Sequence, residues 1–170
     1  DLTEAFDYMI VDTAAGISDT VLNFTSAVQE VIVVICDEPT SLTDAYALIK
    51  VMCKRFGWTQ FHIVANMVRH MKAGRELFNR IYSVAEQFLD VRLDYLGFIP
   101  FDTSIHEAVK KQEAVIELHP NCPAAKAFRQ MASVVERWPL KYELGGNTSF
   151  FLERLASCTK KGPYHNYTNG

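Results

Sequence analysis

Residues 8–16 read Tyr8-Met9-Ile10-Val11-Asp12-Thr13-Ala14-Ala15-Gly16. A short apolar run ends on a carboxylate and passes into a loop of small residues. A continuous run of this length, closed by a turn signal, is the pattern of a strand buried on both faces. Three further runs repeat the theme at 31–35, 62–65 and 95–99, each rich in β-branched or aromatic residues. Between them lie stretches with helical spacing. Residues 18–27 follow Gly16, with Ser18 placed to cap them. Residues 40–56 carry Leu42, Ala45, Leu48, Ile49 and Met52 on one stripe and stop at Gly57. Residues 74–89 carry Leu77, Phe78, Ile81, Val84, Ala85 and Phe88. Residues 103–112 form a shorter helix, and 123–137 a longer one with proline in the first turn. Strands alternating with helices predict an α/β fold, a mostly parallel sheet with helices on both faces.

The organisation expected is a main domain over 1–139, a linker and amphipathic helix over 140–161, and a polar, disordered tail over 162–170. Gly145-Gly146-Asn147 marks the break. Of the 170 residues, 49% are hydrophobic, enough for a substantial core. The net charge of -3 gives no electrostatic reason to expect direct nucleic-acid binding. No stretch approaches the roughly 18 uninterrupted apolar residues of a membrane span. Cys36, Cys53, Cys122 and Cys158 show no paired spacing, so neither a zinc site nor a disulfide framework is indicated. The five histidines are scattered, and none is assigned a catalytic role.

In open parallel sheets ligands gather at the carboxyl ends of the strands, so the residues just past each run carry the chemistry. Asp12 can hold magnesium, often through water, or it can begin a turn or cap the next helix. Thr13, Ala14, Ala15 and Gly16 can bring backbone N–H groups to a phosphate. Asn66 can pair with a purine edge by donating and accepting at once, or it can satisfy local backbone. Pro100, Phe101 and Asp102 leave the last run; Asp102 can cap the helix from Thr103, or the loop can lie against a base and ribose. Glu38-Pro39-Thr40-Ser41 with Asp44 opens the helix after residue 37, and capping by Thr40 and Ser41 explains most of it.

Together these four loops resemble the MinD/ParA group of deviant-Walker P-loop ATPases, over roughly residues 5–138. Asp12–Gly16 looks like the group's switch II, Glu38-Pro39-Thr40-Ser41 with Asp44 like its "PE-S---D" helix start, and Asn66 with Ile99-Pro100-Phe101-Asp102 like its adenine-side loops. The phrases running from Asp12 to Val21 and from Val64 to Val68 are most similar to the flagellar-number regulator branch (FlhG/FleN-like). The septum-site branch more often has arginine where Met67 stands.

The resemblance implies ATP and magnesium as cofactors, a nucleotide-dependent homodimer, slow hydrolysis and a cytoplasmic protein peripheral to the inner face of the cell membrane. It implies a flagellar GTPase and a transcriptional activator as partners, in control of flagellar number and placement. Septum or cargo positioning by another member of the family, a metabolic P-loop enzyme, and an interaction module that has dispensed with the P-loop are the alternative readings. One departure is large: no GxxxxGK[ST] or KGGxGK loop occurs in these 170 residues. The expectation is a C-terminal portion that does not hydrolyse ATP alone. In the family the P-loop strand lies between the switch II strand and the next, so runs 8–11 and 31–35 are expected not to be natural neighbours. Near the C-terminus, Phe150, Phe151, Leu152 and Leu155, with Lys160 and Lys161 following, suit a helix that lies on a membrane surface or docks on the domain.

Overall fold

A computed structural model describes residues 8–139 together with 155 and 156. The chain divides into two compact units. One is Glu30–Pro139; the other has residues 8–29, 155 and 156 as its described part.

The larger unit is built on three parallel strands in the order β1-β2-β3: β1 (Ile32–Ile35), β2 (Gln60–Val68) and β3 (Arg92–Pro100). The helix α2 (Pro39–Phe56) connects β1 to β2, and α3 (Met71–Phe88) connects β2 to β3. After β3 come α4 (Thr103–Lys111), the single-turn α5 (Val115–Leu118) and α6 (Pro123–Val135). Right-handed parallel crossovers place α2 and α3 on one side of the sheet. Ala65, Tyr95 and Phe98 meet Gly74 of α3 on that side, whereas Gly97 meets Met131 of α6 on the other. Val64, Ile99 and Ala124 form a buried cluster beneath α6. Helices therefore cover both faces, as the alternation of periods required.

The apolar runs form the sheet because each residue satisfies a burial demand on one side or the other. Val33 and Ile35 of β1, Phe61, Ile63 and Ala65 of β2, and Ile49 and Met52 of α2 are buried. Fully burying one such larger side chain stabilises by about 1.5–3 kcal/mol. Ile32 and Val34 point the opposite way and stay about half exposed (45% and 53%). β1 pairs only with β2 among the described residues, so its other edge carries no ladder there.

Both longer strands run past the sequence expectation at their amino ends, where Gln60, Arg92 and Asp94 break the apolar pattern, as does His62 at the head of the expected run. These polar groups find one another. Gln60 donates to Asp94 (2.9 Å), Arg92 pairs with the same carboxylate (2.8 Å), and buried His62 meets Glu30 at 3.0 Å. Trp138, beyond α6, stacks on the His62 ring with centroids 4.0 Å apart.

In the smaller unit α1 (Asp19–Ala27) is capped by Ser18, whose Oγ accepts from the Val21 N–H. The expected strand at 8–11 is not formed: residues 8–10 have no regular structure, and Tyr8, Met9 and Ile10 are exposed. An isolated extended segment gains nothing from its backbone groups without a neighbouring ladder, and none of the described strands supplies one. The calls on Phe150, Phe151 and Leu152, and on the 162–170 tail, lie outside the described residues. Leu155 is described, and it is helical and partly buried.

Candidate functional site

The carboxyl ends of the three parallel strands bring Cys36, Asn66, Pro100, Phe101 and Asp102 to one rim of the larger unit. The register sets this: Ile35 pairs with Ala65 and Ala65 with Phe98, so the next residues of β1 and β2, Cys36 and Asn66, are neighbours.

The rim is shaped by a β-bulge. Between the pairs Ala65–Phe98 and Val68–Pro100, β2 spends two residues, Asn66 and Met67, where β3 spends one, Ile99. Met67 takes the extra turn with φ 57°, an uncommon conformation for a residue with a long side chain, and is half exposed. The Asn66 Oδ1 accepts the Met67 N–H at 2.9 Å. Burial, and after it the neighbouring Glu38, hold the Cys36 thiol above the usual thiol range. Beyond the bulge, the Phe101 N–H donates to the Val68 carbonyl (2.9 Å) and leaves the Phe101 ring exposed at the rim, tilted against His106.

The loop after β1 is fixed by a bond that sequence reading missed. Glu38 stands at the N-cap of α2 without a side-chain cap bond. Ser41, expected to cap the helix, instead accepts the Cys36 N–H through its Oγ at 2.9 Å. It closes the β1–α2 turn back on the strand end. Arg80 of α3 pairs with Asp37 in the same loop.

Asp102 has both carboxylate oxygens committed. Oδ1 accepts from Ser104 N–H (2.9 Å) at the start of α4, and Oδ2 accepts from Ala124 N–H (3.0 Å) at the start of α6. These two backbone donors, the first of them at Ala124, push its pKa down to about 2. The capping reading is what the geometry shows, extended to a second helix. Pro100 and Phe101 thus stand on a loop that Asp102 holds in shape.

Asp12, Thr13, Ala14 and Ala15 lie in the smaller unit as an exposed loop ahead of α1. Gly16 closes it with φ 100°, a conformation that L side chains rarely adopt and that glycine takes freely. No group of three or more His, Cys, Asp or Glu residues among the described residues could hold a metal ion. A lone carboxylate such as Asp12 fits magnesium only as one ligand beside phosphate oxygens and water. No helix among the described residues is long and apolar enough to cross a membrane.

Residues 3–136 match the family described as ParA, NUBPL iron-transfer P-loop NTPase. The chain belongs to the ParA family. Within it, the chain is 48% identical over 162 residues to the antiactivator FleN of Pseudomonas aeruginosa, covering 95% of this chain and 58% of FleN. It is 32% identical over 156 residues to the flagellum site-determining protein YlxH of Helicobacter pylori, covering 89% of this chain and 52% of YlxH. Against the septum site-determining protein MinD of Bacillus subtilis the identity is 28% over 134 residues, covering 78% and 48%. This ParA-family chain is therefore of the FlhG/FleN-like branch, as the phrases around Asp12 and Asn66 indicated. It spans about half the length of the curated relatives it matches.

Proposed function

We propose that this chain is the nucleotide-base-facing, C-terminal part of an ATP-dependent regulator of flagellar number and placement. The observation that carries the reading is the state of Asn66. Its Oδ1 spends one of two lone pairs on the Met67 N–H. The other lone pair and the amide N–H can serve at the rim, the complement of an adenine edge that offers N6–H and N7. Pro100 and Phe101 stand beside it as an apolar wall. The similarity to FleN and YlxH supports the flagellar assignment.

In this proposal the phosphates are held by a P-loop that these 170 residues do not contain, so ATP turnover, slow in the whole protein, is absent from the isolated chain. Asp12 contacts magnesium through water when ATP is bound, and the loop to Gly16 responds to the γ-phosphate. ATP binding joins two copies into a dimer, which engages a flagellar GTPase and a transcriptional activator. The protein works in the cytoplasm at the inner face of the membrane, where residues 148–161, including Phe150, Phe151, Leu152 and Leu155, give peripheral contact.

The test uses the full-length protein with its P-loop. Asn66→Ala weakens ATP binding by about tenfold or more, since a bidentate base contact is worth roughly 1–3 kcal/mol. Asp12→Ala removes the magnesium dependence of ATP binding and turnover. Isothermal titration with and without magnesium reads both, and wild-type values for both variants would end the nucleotide reading. Deleting 148–161 lowers co-sedimentation with anionic liposomes; equal sedimentation assigns that segment to docking instead.

A further inference from the structure

Side chains along a strand alternate between its two faces. In β2 that period sends residues 61, 63 and 65 to one side, and Phe61, Ile63 and Ala65 are all buried. Ala65 and its register partner Phe98 both stand against Gly74 of α3. By the same count Met67 belongs under α3. Val68 takes that place instead. It pairs with Pro100, two residues on from Phe98 and so on the same face, and it is buried while Met67 is 51% exposed.

The bulge therefore expels one apolar side chain from the core and seats the next. Met67 reaches its position only in the left-handed region, at φ 57°. A side chain makes that conformation sterically costly, and glycine takes it freely. Core packing does not account for a large apolar group held half in solvent by a strained backbone. Conformations of this kind cluster at ligand clamps, and the neighbours of Met67 fit one. Its N–H is the donor to Asn66 Oδ1 at 2.9 Å. The next carbonyl, that of Val68, holds the Phe101 N–H at 2.9 Å, and the Phe101 ring is also exposed. Two exposed apolar side chains, one from β2 and one from the loop after β3, thus share the rim with the Asn66 amide. A thioether is flexible and polarisable, and it packs well on an aromatic ring.

We propose that Met67 is a binding residue for the purine: the bulge turns its thioether outward so that it covers one face of the base whose edge Asn66 reads. The inference rests on the base-facing role of Asn66 proposed above. Asn66 meets the edge and discriminates among bases. Met67 meets the ring face, which adenine and guanine share, and adds affinity for either. If Met67 served the fold alone, easing its backbone would leave binding intact. A binding role predicts a fold no weaker and a nucleotide site that is weaker.

The experiment uses the full-length protein with its P-loop, and titrates ADP and pyrophosphate calorimetrically. Met67→Gly, which suits φ 57°, keeps the urea midpoint at or above wild type and weakens ADP binding about five- to tenfold. Met67→Ala weakens ADP binding by a similar factor, and Met67→Leu, close in bulk, recovers most of the loss. Pyrophosphate, which has no base, binds all of them alike. In a second measurement hydrogen peroxide oxidises the exposed methionines of the wild type, and peptide mass spectrometry reads each sulfoxide. ADP slows oxidation of Met67 several-fold more than that of Met71, which is exposed at the start of α3. Full ADP affinity in folded Met67→Gly and Met67→Ala, an equal loss for pyrophosphate, or no greater protection of Met67 than of Met71 overturns this role and leaves Asn66 in place. Wild-type ADP binding by Asn66→Ala overturns the base-facing reading itself, so the two failures are told apart.

Discussion

Asp102→Ala is expected to destabilise the larger unit by about 2–3 kcal/mol, because it removes two helix caps at once. One side chain satisfies the first turns of both α4 and α6, and a single N-cap is worth about 1 kcal/mol. The second loss is the heavier, since Ala124 is fully buried and its N–H is left without a partner. The effect carries its own pH signature. The pKa of Asp102 falls from 3.8 to about 2 on folding, so the folded state keeps the carboxylate charged where the unfolded chain protonates it. This stabilisation is whole at neutral pH, declines below about pH 5, and is gone near pH 2. Wild type and Asp102→Ala should therefore converge in stability as the solution is acidified. Urea denaturation at pH 7, 4 and 3 measures it; a difference that does not shrink with acid would refute the double cap. Asp102→Asn, which keeps one acceptor oxygen, should fall between the two.

Gly74→Ala is the second large effect. Alanine normally favours a helix interior over glycine by about 1 kcal/mol, so the bare expectation from sequence is stabilisation. The packing reverses the sign. A Cβ at position 74 would stand 2.7 Å from the Tyr95 hydroxyl and 3.0 Å from the Phe98 Cβ. Glycine lets α3 lie directly on the sheet, and a methyl group there forces helix and strand apart at a cost of about 2 kcal/mol. The Tyr95 hydroxyl is itself buried with no hydrogen-bond partner among the described residues. Tyr95→Phe should therefore be neutral or stabilising by up to about 1 kcal/mol, and it should relieve a large part of the Gly74→Ala defect. A double-mutant cycle by chemical denaturation gives the coupling. Strict additivity of the two substitutions would show that α3 yields elsewhere.

The parts of the fold that could be read from the sequence are those decided by local pattern. The runs at 31–35, 62–65 and 95–99 became the centres of β1, β2 and β3, and Gly57 ends α2 as expected. The start of α3 was placed late, at 74 rather than Met71, because its cap is a histidine. The His70 Nδ1 accepts the Ala73 N–H, a role that serine or aspartate ordinarily signals. The turn α5 was missed because four residues carry no period. The strand expected at 8–11 has the composition of a strand, but composition cannot supply the neighbour that a ladder requires.

The site divides in the same way. Asn66, Pro100, Phe101 and Asp102 were visible as residues that follow strands, since strand ends are a local inference. The bond from Asp102 to Ala124 spans 22 positions, and the placing of Cys36 beside Asn66 depends on the register of two strands. Neither distance is written in any short motif. Cys36 had one available signal, its place immediately after an apolar run and before Asp37-Glu38-Pro39, and a cysteine in that setting reads equally well as one more buried apolar residue.

The free side of β1 has a practical consequence. Its outer backbone groups carry no ladder among the described residues, and the half-exposed Ile32 and Val34 stand on the strand's uncovered face. Such a border is a template onto which another extended peptide can add. Prepared as these 170 residues alone, the polypeptide should form soluble aggregates as its concentration rises. A charged substitution at Val34 should keep it monodisperse in light scattering.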